Sequence, residues 1–155
     1  MADRTGFVTH TRKTIGDIAV DGLFSGMGAG LAMAGLLLIG ALLDGTGIAG
    51  TLGRFDPGAE GSPVVGALLH REVSGLYGVL FAVVYHVLRQ RWAGIARFAW
   101  LLGAAYGLGL WLTAHFVLLS DLNLALTAFA PWQFALAHLV YGTLLGYLME
   151  RHAAR

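Results

Sequence analysis

Apolar residues in this chain do not alternate with polar ones at the period of two expected of barrel strands, but gather in four long runs. Each run can cross roughly 30 Å of hydrocarbon as a helix, which takes about 20 residues, and we place them near 18–43, 65–88, 98–120 and 131–149. Within lipid every backbone N–H and C=O must be satisfied inside the chain, so the runs predict helices. The expected fold class is an all-α integral membrane protein, with four transmembrane helices in an antiparallel bundle forming one domain over 1–155. Thr14 and Asp17 have the spacing of a capping box, which starts the first helix near Thr14. Asp121 to Ala130 reads as a short interfacial helix before Pro131 opens the last span.

The Gly-rich link from Asp44 to Pro63, about 20 residues, needs a turn at Asp56-Pro57-Gly58. A link of this length either folds over the bundle mouth, meets a partner or is passive, and a passive link is the simplest reading.

Composition removes most alternatives to a membrane protein. Of 155 residues, 57% are hydrophobic and 12% charged, with a mean hydropathy of +0.69. Soluble domains carry about 25% charged residues, so this chain lacks the polar surface to cover itself in water. A net charge of +1 without a basic patch interleaved with aromatics excludes nucleic acid as a partner. The absence of cysteine excludes disulfides, thiolate metal sites and cysteine nucleophiles.

Charge also orients the spans. Eight of the ten Lys and Arg (Arg4, Arg12, Lys13, Arg89, Arg91, Arg97, Arg151 and Arg155) fall on one side of the predicted bundle, and Arg54 and Arg71 on the other. By the positive-inside rule both termini are cytoplasmic. Trp92 and Trp132 sit at opposite predicted interfaces, where indole rings anchor helices.

Glycine spacing predicts how the helices meet. Gly22, Gly26 and Gly30, followed by Ala34, line one stripe of the first span; Gly103 and Gly107 recur in the third, and Gly142 and Gly146 in the fourth. Helices in lipid associate through close packing, so these stripes are packing faces. They serve either one closed bundle or several protomers. The expected partners, besides the lipid bilayer, are a second copy of this chain or other membrane subunits. Tyr77-Gly78 and Tyr141-Gly142 begin similar six-residue stretches, the signature of a duplicated hairpin if it is not chance. Gly26-Met27-Gly28-Ala29-Gly30 follows no strand and is not a nucleotide loop.

Ionisable groups at membrane depth are costly and face the protein interior or a water-filled cavity. His10 and His152 read as solvated tail residues. His70, His115 and His138 come from three spans and occupy the outer part of the bundle, with Glu72, Asp44 and Asp121 nearby. His138 shares its stripe with Gly142 and Leu145; His70 shares one with Ser74, Tyr77 and Phe81; His115 lies about 120° from the Gly103–Gly107 stripe, beside Trp111. His86, about 24 Å along the helix from His70, belongs to a separate inner polar site with Asp21.

Three functions fit these residues. The first is a structural or accessory subunit, or homo-oligomer, assembled through the Gly-rich faces. The second is binding of haem b or a transition metal by His70, His115 and His138, with Glu72 as a further metal ligand, on the analogy of b-type cytochromes, whose bundles clamp haem between histidines. The third is proton or cation transport between the outer groups and Asp21 with His86. No Ser-His-Asp, His-Glu-x-x-His or phosphate-loop signature points to an enzyme acting alone.

Overall fold

In a computed structural model, residues 13–58, 61–118 and 125–154 are described. Arg4, His10, Arg12, Asp121 and Arg155 lie outside them. Among the described residues all regular structure is helical. Helix α1 spans Ile15–Leu43, α2 Ile48–Gly53, α3 Pro63–Arg91, α4 Ala99–Thr113 and α5 Pro131–Ala153. Tight 3₁₀ turns cover Ala93–Phe98 and Ala125–Ala128, and a π-type turn, Ala114–Leu118, extends α4.

Local chemistry explains the helix ends. Thr14 caps α1 in a complete capping box: its hydroxyl accepts from the Asp17 N–H at 3.2 Å, and the Asp17 carboxylate accepts from the Thr14 N–H at 2.8 Å. Ser62 caps α3, with Pro63 in the first turn, where its missing N–H costs nothing. The link expected to be passive instead carries α2. Its Asp56 carboxylate accepts from Gly58 N–H at 2.9 Å and Ser62 N–H at 2.8 Å, which folds the turn back onto the start of α3. This brings the backbone at Leu52 against Gly66, where a Cβ would collide with it.

Three stretches, Ile15–Leu43, Pro63–Arg91 and Gly94–Val117, are long and apolar enough to cross a membrane. Helix α5, although 23 residues long, falls short in hydropathy because Gln133, His138 and several aromatics dilute it. It packs on both α1 and α4, burying Phe134, Ala137, Tyr141, Leu145 and Met149.

Two antiparallel hairpins build the bundle. In the first, Gly22 and Gly26 of α1 meet α3: a Cβ at Gly22 would stand 2.6 Å from Ala82 Cβ and 2.8 Å from Gly78 O, and one at Gly26 would strike Ser74 O and Gly78 Cα. In the second, a Cβ at Gly103 of α4 would strike Gly142 O and Gly146 N of α5, and one at Gly107 would strike His138 O and Gly142 Cα. The contacts correspond pair by pair, with Gly78 and Gly142 in equivalent places, as the paired Tyr-Gly stretches suggest. Packing of α1 on α5 joins the hairpins, whereas α3 and α4 meet only lightly. Gly22, Gly26, Gly30, Gly103, Gly107, Gly142 and Gly146 are all occupied within the chain, so none presents a free face to a second protomer.

Candidate functional site

Where α3 and α4 fail to close, a cavity of about 190 Å³ lies between the helices. Its walls are mostly apolar, with Met33 from α1, Phe55 from the link, Leu69 and Val73 from α3, Leu110 from α4 and Phe134 from α5. Leu69 and Val73 are themselves exposed on the outside of the bundle, so the cavity adjoins that surface.

His70 and His138 both line it, with Ser74, Tyr77 and Tyr141 below them. Each imidazole is held by a backbone carbonyl. His70 Nε2 lies 3.0 Å from Gly30 O on the facing helix, and His138 Nδ1 lies 2.8 Å from Phe134 O one turn back. A carbonyl oxygen only accepts, so both contacting nitrogens carry their proton. Phe55 packs on the His70 ring at 4.5 Å between centroids, and Phe134 meets His138 edge-on at 4.5 Å. The hydroxyls are similarly tied: Ser74 donates to His70 O at 2.7 Å and Tyr141 to Ser74 O at 2.7 Å. Tyr106 donates to Tyr77 O at 2.9 Å, a polar link between α4 and α3.

The structure thus brings two of the three histidines, His70 and His138, to one cavity. His115 stacks on Trp111 at 5.5 Å and lines a different cavity, with Phe129, Pro131 and Phe134. It lies one turn beyond Trp111, in the π-type extension of α4. Glu72 is exposed and lies 3.9 Å from Arg71, on the face of α3 away from the cavity. Among the described residues no three of His, Asp and Glu form a group able to hold a metal ion.

At the opposite end of the bundle, Asp21 and His86 line one cavity of about 160 Å³ but take different partners. Asp21 accepts from Lys13 Nζ at 2.8 Å and lies 3.5 Å from His152 Nδ1, while His86 pairs with Gln90 at 2.7 Å. Lys13 also donates to His152 O at 2.6 Å, which ties the start of α1 to the end of α5. His152, expected in a solvated tail, is part of this tie. Beside it Tyr85, only 2% exposed, donates to the Glu150 carboxylate, and Arg89 reaches Glu150 at 3.4 Å and Ala153 O at 2.9 Å. Tyr85 and Glu150 escaped sequence reasoning, and Lys13 and Arg89 entered it only as charges that orient the spans; only the packing of α1, α3 and α5 brings them together. Phe81, stacked on Tyr85 and 5.2 Å from Tyr106, lies between this end and the His70–His138 cavity.

No protein-family model, curated protein or solved structure matches this chain.

Proposed function

We propose that this chain is an integral membrane protein of four spans, α5 being the fourth, that binds a small, largely apolar molecule taken from the bilayer into the cavity between His70 and His138. The observation that carries this reading is the cavity itself: apolar walls, a few convergent polar groups, and a side formed by the open seam between α3 and α4. Concave apolar sites of that kind, placed between helices of a bundle, are where small ligands bind. Both described chain ends, Lys13 and Ala154, lie at the Arg-rich end with Arg89 and Arg151, which supports a cytoplasmic location for that end and an outer-leaflet location for the cavity. An accessory role resting on the Gly-rich faces has less support, since those faces are used within the chain.

The reading is tested in two steps. The chain has no cysteine, so single-cysteine variants report topology directly: Trp132→Cys should react with an impermeant maleimide from outside and Ala154→Cys only after the cytoplasmic side is opened. Labelling of both from the same side removes the fourth span. In nanodiscs, an alkyl-substituted aromatic probe should bind in a ratio of one per chain, and Ala114→Phe, which fills the cavity from α4, should abolish binding. Binding that survives this variant places the probe elsewhere and refutes the site.

A further inference from the structure

The protons in the cavity wall are distributed unevenly. His70, His138, Ser74 and Tyr141 each donate to a backbone carbonyl. Each imidazole uses its one neutral-state proton in this way, which leaves His70 Nδ1 and His138 Nε2 as bare lone pairs. Among the described residues neither of these nitrogens has a hydrogen-bond partner. The Ser74 and Tyr141 oxygens likewise retain only acceptor capacity. Tyr77 is the single lining hydroxyl not bound to a carbonyl among the described residues. Polar groups in this wall therefore offer acceptors almost exclusively.

We infer that the cavity selects a compact ring bearing hydroxyl donors, a dihydroxybenzene of the class that includes reduced quinones, over the same ring without them. The inference rests on the proposed binding of an apolar ligand in this cavity and adds its hydrogen-bonding sense. Size agrees: a dry apolar cavity of about 150 Å³ holds one benzene ring, so about 190 Å³ holds a ring with small substituents. A ring carrying only carbonyl or ether oxygens meets lone pairs with lone pairs. It also loses the hydrogen bonds that its oxygens made elsewhere, with Tyr77 as the one available donor.

The decisive comparison uses two probes of nearly equal size, 4-ethylresorcinol and 1-ethyl-2,4-difluorobenzene, in which fluorine replaces both hydroxyls, in equilibrium dialysis against the whole protein in nanodiscs, with empty nanodiscs as the partition control. Two hydrogen bonds of ordinary strength correspond to about tenfold to hundredfold tighter binding of the resorcinol. His138→Phe should reduce that preference to several-fold, read as the ratio of the two probes' affinities for the same variant. Equal affinity for the two probes, with both lost in Ala114→Phe, overturns the donor preference and leaves the binding site standing. Failure of both probes to bind overturns the site as well. One equivalent of copper or zinc per chain that His138→Phe removes would assign the lone pairs to a metal and overturn the inference.

Discussion

Replacing Gly142 by alanine should force α4 and α5 apart. A Cβ at this position points at the Gly103 carbonyl and would stand 2.8 Å from Gly107 N and 2.9 Å from Gly103 C. Tolerable contact begins near 3.4 Å, and the obstructing atoms are backbone, so no rotamer change relieves the clash. The helices must separate by more than about half an ångström, and a gap of that size forfeits about a quarter or more of the dispersion energy at each contact along the seam. Overpacking of this kind costs about 1–3 kcal/mol. Removing a glycine from a helix interior returns about 1 kcal/mol, so the net loss is about 0–2 kcal/mol, and about 1–3 kcal/mol relative to a glycine replaced in open space. Gly109 is the internal control, because a Cβ there meets nothing within 4 Å. Gly109→Ala should therefore be neutral or stabilising by up to about 1 kcal/mol. Unfolding in mixed micelles with increasing denaturing detergent, followed by tryptophan fluorescence, compares the variants directly. The double variant Gly103→Ala/Gly142→Ala should cost less than the sum of its parts, since both residues serve one contact. A Gly142→Ala protein as stable as Gly109→Ala would refute the claim that close backbone approach holds this hairpin.

Three further outcomes follow from the same structure. Tyr85→Phe removes the hydroxyl that donates to Glu150 and should cost about 1–3 kcal/mol in the same unfolding assay, as for hydrogen bonds to charged groups; an unchanged midpoint would mean that Arg89 alone satisfies the carboxylate. Lys13→Ala breaks an ion pair whose side chains are 40% and 23% exposed, so a double-mutant cycle with Asp21→Asn should give a coupling of no more than about 1 kcal/mol, and a larger value would show the pair to be effectively buried. Phe55→Ala takes away the ring packed on His70 and Phe129; hydrogen exchange at Thr51 and Gly53 should accelerate while that of Tyr141 stays slow, and uniform acceleration would mean that α2 anchors the whole bundle.

Much of the architecture was legible in the residue pattern because the bilayer leaves few options. Apolar runs of about 20 residues in lipid must be helical, and the glycine stripes predicted packing faces that the structure uses at every named position. Thr14 and Asp17 announced their capping box by spacing alone. The candidate site was only partly legible. Depth along each helix placed His70 and His138 at one level, and both line one cavity in the structure. The same depth argument grouped His115 with them, but a helix of 3.6 residues per turn that ends in a π-type extension points its residues by rotation as well as by level. His115 accordingly faces Trp111 and another cavity.

From sequence alone come the positions of the long helices, the small-residue stripes and the segregation of basic residues to one end, all local consequences of backbone satisfaction, hydropathy and spacing. Tertiary structure decides which stripe meets which, and therefore that the glycines close two hairpins within one chain rather than join chains. It also leaves the seam between α3 and α4 open, placing a cavity beside His70 and His138, and brings Lys13, Asp21, Tyr85, Arg89, Glu150 and His152 together at the other end. These are relations between residues up to 139 positions apart in the chain. No local pattern encodes them, because each depends on how helices rotate about their axes once their backbones touch.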